Sequence, residues 1–230
     1  MCSPVKSVKR RPAPHLLLYY ITARRQFSGG AEEKDRRLLE KIAECAAAGV
    51  DFIQLREKDL SNRELEALAR RARAAIPADS STRLLVNSRT DIALAVGAHG
   101  VHLPANDLYP SDVRAIMMRS GVREPLIGVS AHSLDEVRLA ESHGADFAVF
   151  APVFEKDGAV SRDGLAQLRR VCGRADAADP PMPILALGGV TRDNAQQCIA
   201  AGAAGIAGIR LFQDNPVAEL AEQLRSLVLK

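Results

Sequence analysis

From His15 onward the chain repeats one phrase: a short apolar run, a turn, then a longer stretch where Ala, Leu, Arg and Glu recur at helical spacing. The apolar runs cover 16–21, 52–55, 84–86, 100–103, 126–129, 147–150, 184–187 and 205–209. They are short, bounded by turn residues and almost free of charge, which is the pattern of strands buried on both faces. Between them, 34–48, 61–76, 90–96, 110–119, 133–143, 161–175 and 191–201 carry the period of amphipathic helices, and 215–229 follows the last strand. Several helices close on the same kind of phrase, with Gly49, Gly97, Gly144 and Gly202 placed for a left-handed C-cap.

Strands alternating with helices imply right-handed crossovers and a parallel sheet. Eight such pairs in 230 residues close most economically into a single (β/α)8 TIM barrel with a parallel eight-stranded core. A doubly wound open sheet is the alternative. The barrel is assigned to 15–230. Residues 1–14 are basic, Pro-rich and aperiodic, and are expected to be a disordered tail. Residues 175–183 read as a surface loop before the seventh strand.

Composition narrows the function. Aromatics are only 4% with no Trp, so the core is expected to be aliphatic. The net charge of +3 comes largely from Lys6, Lys9, Arg10 and Arg11, and a near-neutral barrel offers no nucleic-acid surface. The four cysteines have neither metal-ligand nor C-x-x-C spacing, and Cys45 and Cys198 fall in Ala-rich helices as small buried thiols. No apolar run reaches membrane-spanning length, and no secretory h-region follows the basic N-terminus. The expectation is a cytoplasmic protein with no membrane or nucleic-acid partner, able to associate as a homo-oligomer through its outer helices.

In such barrels the site lies at the C-terminal strand ends. Strand two runs out in Gln54-Leu55-Arg56-Glu57-Lys58. Gln54 and Arg56 share a face by the period of two, and Arg56 with Lys58 suits a phosphate or diphosphate clamp. A solvated cluster neutralised by Glu57 is the competing reading. Strand three ends in Asn87-Ser88-Arg89, a polar exit suited to ligand recognition, with Asp91 as a first-turn helix acid. Strand four carries His102, read as a hydrogen-bonded core residue, and is followed by Asp107, either a Mg²⁺ ligand or a turn residue. Strand five ends in Ser130-Ala131-His132-Ser133; Ser133 with Glu136 reads as a capping box, leaving Ser130 and His132 to face the site. Gly188-Gly189 after strand seven, and Arg210 opening a short helix after strand eight, mark a phosphate-binding site in small phosphorylated ligands' usual place.

These strand-end phrases, in this order, resemble the thiamine phosphate synthase and TenI family from about Leu18 to Phe212. The resemblance rests on Gln54-Leu55-Arg56-Glu57-Lys58, Asp91-Ile92-Ala93-Leu94-Ala95, Gly100-Val101-His102-Leu103, Ile127-Gly128-Val129-Ser130-Ala131-His132-Ser133, Gly144-Ala145-Asp146, Pro152-Val153-Phe154 and Leu187-Gly188-Gly189-Val190-Thr191. It implies a synthase that holds hydroxymethylpyrimidine diphosphate through Gln54, Arg56, Lys58 and Asn87, with Mg²⁺ bridging the diphosphate. A thiazole phosphate would sit on Gly188 and Gly189. Arg56, Lys58, Ser130 and Lys156 are the implied catalytic residues, and Asp107 the implied metal ligand. The chain departs from the family pattern at several positions. Ser88 replaces a metal-ligating Asp, and 155–161 replaces a Thr/Ser-rich segment. Pro104 follows His-Leu as in the TenI branch, Pro152 stands where that branch has its His, and Arg210 replaces a Ser. Two alternatives accompany the synthase: a TenI-like thiazole tautomerase, and a non-catalytic barrel that binds a thiazole or pyrimidine phosphate.

Overall fold

All eight apolar runs are strands of one sheet in the computed structural model, which describes residues 15–155, 163–174 and 181–228. The tail at 1–14, Lys156 and most of the 175–183 loop lie outside the described residues. The strands are β1 (Leu17–Ile21), β2 (Phe52–Leu55), β3 (Arg83–Asn87), β4 (Gly100–Leu103), β5 (Leu126–Ala131), β6 (Phe147–Phe150), β7 (Ile184–Ala186) and β8 (Gly205–Gly208). The helices between them are α1 (Ala31–Ala47), α2 (Asn62–Ala75), α3 (Thr90–Ala95), α4 (Pro110–Arg119), α5 (Leu134–Ser142), α6 (Gly164–Cys172) and α7 (Ala195–Ala200); α8 (Arg210–Gln213) and α9 (Val217–Ser226) follow β8. Each strand pairs in parallel with the next, and β1 pairs with β8, setting Tyr19 opposite Ala207. That last pairing closes the barrel and excludes the open sheet.

Two packing shells share the strands because successive side chains alternate sides. The outer shell, between strands and helices, is aliphatic: Leu18, Ile53, Leu55, Leu38, Ile42 and Leu68 are typical, and Cys45 and Cys198 are buried in it. The inner shell differs from the aliphatic expectation. Tyr19 and Phe147 are fully buried inside the barrel with Phe52 packed against them. Phe52 and Phe147 stack at 4.9 Å, and Tyr19 meets Phe147 edge-on at 5.4 Å. Small residues explain this use of the few aromatics. A Cβ at Gly128 would lie 2.3 Å from the Phe147 ring, so a glycine on one strand makes room for a large ring from the next.

Local signals behave largely as the sequence indicates. Gly49, Gly97, Gly144 and Gly202 all have positive φ at the ends of helices. Two details differ. Ser133 caps α5 by accepting from the Glu136 N–H, but the Glu136 carboxylate reaches one residue further, to the His132 N–H at 2.6 Å. The reciprocal capping box lies instead on α2, between Ser61 and Glu64. The helix expected from 191 starts at Ala195, because Thr191 and Asn194 exchange side-chain-to-backbone bonds in a turn ahead of it.

Candidate active site

At the C-terminal end of β2 the charged phrase is sorted by burial. Glu57 is buried, accepting the Thr22 hydroxyl at 2.5 Å and the Arg24 N–H at 2.9 Å. Burial pushes its carboxyl above the ordinary value, opposed by the bonds from Thr22 and Arg24. Thr22 also accepts from the Arg56 N–H at 2.9 Å, so the loops after β1 and β2 are pinned together. Glu57 is therefore not placed to neutralise Arg56 or Lys58, and that part of the solvated-cluster reading is corrected. Arg56 is half-buried and Lys58 exposed, and neither side chain has an ion pair or hydrogen bond among the described residues. Arg24 and Arg89, on the loops after β1 and β3, are both paired, with Asp35 and Asp59 and with Asp91 respectively.

Beneath that loop a hydrogen-bonded chain crosses the barrel interior. Gln54, 1% exposed, donates from Nε2 to the Tyr19 hydroxyl at 2.9 Å. Tyr19 Oη lies 3.1 Å from His102 Nδ1, and His102 Nε2 lies 2.9 Å from Ser130 Oγ. His102 is 2% exposed. Burial, with a smaller contribution from the charge of Arg56, pulls its pKa down to about 3, so the ring is neutral. His102 is thus the hydrogen-bonded core residue that its place in a strand suggests, yet it ends on Ser130, which is half-buried at the site. Tyr19, absent from the sequence-based site, is the link. Its signal was available: a Tyr sharing the inward face of a strand needs a partner for its hydroxyl.

Around the rim, Asn87 lies opposite His102 in the β3–β4 register and donates to Ser88 Oγ at 3.2 Å. Ser88 has φ 57°, the one described non-glycine residue in the left-handed region, a conformation that Asp and Asn tolerate best. Asp91 sits in the first turn of α3, paired with Arg89, which holds its carboxyl below the ordinary value. Asp107 is half-exposed in the loop after β4, and its carboxylate accepts the Leu108 N–H at 2.8 Å, so the turn reading accounts for one of its oxygens. His132 is exposed; its Nδ1 reaches the Ala151 carbonyl at 2.8 Å, which leaves Nε2 outward. Among the described residues no three His, Cys, Asp or Glu side chains are grouped to hold a metal ion.

On the opposite side, between β7 and β8, is a cavity of about 600 Å³ lined by Gly188, Gly189, Thr191, Arg192, Arg210 and Gln26 among others. Gly188 and Gly189 have φ 95° and 61°. The space their Cβ atoms would fill is taken by the loop after β6, with Pro152 Cα 2.8 Å and the Glu155 carbonyl 2.0 Å away. The glycines are thus required by close loop packing, and not by a ligand pressing on their α-carbons. Phe154 N–H donates to the Gly188 carbonyl and Asn194 to the Gly189 carbonyl, which fixes the turn. The N–H groups of Gly188, Gly189 and Val190 have no acceptor among the described residues. Successive free N–H groups in such a turn form an anion-binding concavity. Arg210 opens α8 at the rim, and Arg192, within the stretch expected as helix, has a buried Nε without a partner among the described residues.

The comparisons with known proteins agree with this geometry. The family model described as thiamine monophosphate synthase matches residues 18–212. A thiamine-phosphate synthase of Moorella thermoacetica is 37% identical over 215 residues, covering 92% of this chain and 95% of that protein. One from Methanoregula boonei is 39% identical over 215 residues, with 92% of each covered. The solved structure of a thiamine phosphate pyrophosphorylase from Pyrococcus furiosus superposes with a TM-score of 0.73 at 31% identity, covering 93% of this chain and 96% of that one.

Proposed function

The chain belongs to the thiamine monophosphate synthase family, and on that premise we propose that it is a thiamine phosphate synthase. It couples hydroxymethylpyrimidine diphosphate to thiazole phosphate and releases diphosphate. The observation that carries the reading is the division of the strand-end face into two anion sites. One is the uncommitted pair Arg56 and Lys58; the other is the backbone cradle at 188–190 with Arg192 and Arg210 beside it.

The chemistry asks for this division. The bond between the pyrimidine methylene carbon and the diphosphate oxygen breaks, and both electrons leave with oxygen. The thiazole ring nitrogen then supplies its lone pair to the same carbon, so no base is needed. Charge develops on the departing oxygens, where fixed cations stabilise the transition state more than the ground state. Arg56 and Lys58 take that part. Gln54, Asn87, Ser130 and His132 contact the pyrimidine diphosphate, and the N–H groups of Gly188, Gly189 and Val190 hold the thiazole phosphate against its reaction partner. Lys156 is a third cation for the departing diphosphate in this reading.

Mg²⁺ belongs to the proposal as an ion carried on the diphosphate. The donor set suits that and not an all-protein cage: one half-exposed carboxylate, Asp107, with the side-chain oxygens of Asn87 and Ser88 on the neighbouring strand end. When bound, Mg²⁺ neutralises charge on the leaving group. The three described cysteines are free thiols and no helix among the described residues is long and apolar enough to cross a membrane; both fit a cytoplasmic enzyme.

The test is titration calorimetry with each substrate, with and without Mg²⁺, followed by a diphosphate-release assay. The reading expects both to bind, the diphosphate more tightly with Mg²⁺, and diphosphate to be released only when both substrates are present. Binding of thiazole phosphate alone overturns it.

A further inference from the structure

The bonds across the barrel interior have a direction, and the direction ends in the site. Gln54 Nε2 carries only hydrogens, so the Tyr19 oxygen accepts from it. The single Tyr19 hydrogen then goes to the remaining neighbour, His102 Nδ1. A neutral imidazole has one N–H, and with Nδ1 accepting, that hydrogen is on Nε2, donated to Ser130 Oγ. The Ser130 hydrogen has no other acceptor among the described residues and is left to the ligand. From this geometry we infer that Tyr19 and His102 are positioning residues that make the Ser130 hydroxyl a hydrogen-bond donor, selecting a ligand with an accepting sp² ring nitrogen there.

The surroundings hold that direction. Burial raises the Tyr19 hydroxyl far above its ordinary value, so it stays a phenol. The His102 ring is packed at 5.7 Å from the Tyr19 ring and 6.2 Å from Phe147. Gly128 admits it: a Cβ there would stand 2.9 Å from Nδ1. Turning the ring over or moving its proton to Nδ1 would set the buried Tyr19 hydrogen against another hydrogen. An amino group on the ligand, which only donates, would find only the second lone pair of Ser130 and would leave the Ser130 hydrogen unpaired, which costs affinity.

Naming the ligand a pyrimidine rests on the synthase reading; the direction of the bonds does not, and the experiment separates them. In ¹⁵N-histidine protein, long-range ¹H–¹⁵N correlation is expected to show His102 with a bare Nδ1 and a protonated Nε2, assigned among the five histidines by loss of the signal in His102→Gln. The opposite tautomer overturns the inference whether or not the protein turns over. Gln54→Glu replaces the first donor with an acceptor and is expected to reverse the chain, giving the Nδ1–H form; an unchanged tautomer overturns it too. In kinetics, Tyr19→Phe is expected to raise KM for the pyrimidine diphosphate roughly tenfold, the size of one buried hydrogen bond, with KM for thiazole phosphate unchanged. In a Ser130→Ala background the same substitution is expected to do nothing further. Losses that multiply would mean that Tyr19 acts independently of Ser130 and overturn the inference.

Discussion

The two halves of the strand-end face are built from different materials. Between β7 and β8 the groups proposed to recognise phosphate are backbone N–H groups, fixed by two glycines wedged under the loop after β6. From β2 to β5 they are side chains, Arg56, Asn87 and Ser130, one of which stands on a buried hydrogen-bonded chain. A backbone cradle keeps its donors whatever the side chains do, so long as the turn holds. A side-chain wall can be retuned residue by residue, but it inherits every change made beneath it. Departures from the family pattern fall on both halves: Ser88 and Pro104 on the side-chain half, Pro152 against Gly188 and Arg210 beside the cradle.

Substitutions can break each half separately. The largest loss of activity is expected for Arg56→Ala, roughly 10²–10³-fold in kcat, since in the proposed mechanism the guanidinium faces charge that develops on the leaving group. Steady-state kinetics should show this with an unchanged melting temperature, because the Arg56 side chain has no hydrogen bond or ion pair among the described residues. Near-normal turnover in that variant would remove the clamp from the mechanism.

Gly189→Ala attacks the cradle. The added methyl meets the Glu155 carbonyl and the residue is held at φ 61°, so a stability loss of about 2–4 kcal/mol is expected from clash and strain together. Denaturant unfolding measures the loss. Thiazole phosphate affinity should fall with it while pyrimidine diphosphate affinity holds, which is the reverse of the expectation for Tyr19→Phe.

Acid is expected to weaken the side-chain half through His102. Its folded pKa of about 3 lies below the ordinary 6.5. The unfolded chain therefore takes up a proton first as pH falls, and stability is lost progressively below 6.5 and is fully present above it. His99, at about 4 from burial and the nearby charges of Arg73 and Arg83, acts in the same sense. Glu57 acts in the opposite sense: its raised pKa adds stability as pH falls toward the unfolded value. Unfolding midpoints at pH 7, 5.5 and 4.5 (spacings chosen to bracket roughly the histidine range) should fall, and His102→Gln should flatten the decline. A decline of the same slope in that variant would assign it elsewhere.

The smallest effect is expected for Ser88→Asp. An Asp accepts the left-handed conformation at 88 at least as readily as Ser, so stability should move by no more than about 0.5 kcal/mol. A second carboxylate, on the strand end next to the one that Asp107 follows, should lower the Mg²⁺ concentration needed for half-maximal rate by a few-fold. No change in a Mg²⁺ titration would mean that the ion is held by the diphosphate without help from this strand end.

Much of the fold was legible along the chain because it rests on local rules. Periodicity placed all eight strands, and the glycine C-caps and turn residues placed the helix ends. The candidate site residues from Gln54 to Arg210 were legible as strand-end phrases for the same reason, since a parallel barrel gathers all of its strand ends on one face. What the sequence by itself determined, then, was the repeat, the class of fold and which segments supply the site. The tertiary structure alone decided how groups far apart in the chain use one another. It turned Glu57 away from Arg56, set Gly188 and Gly189 against the loop after β6, and joined Gln54, Tyr19, His102 and Ser130 across the barrel interior. The reason is physical. Hydrophobic period and turn chemistry act over a few residues and leave a trace in the sequence, whereas a buried polar group must find its partner among whatever residues closure of the sheet brings within about 3 Å.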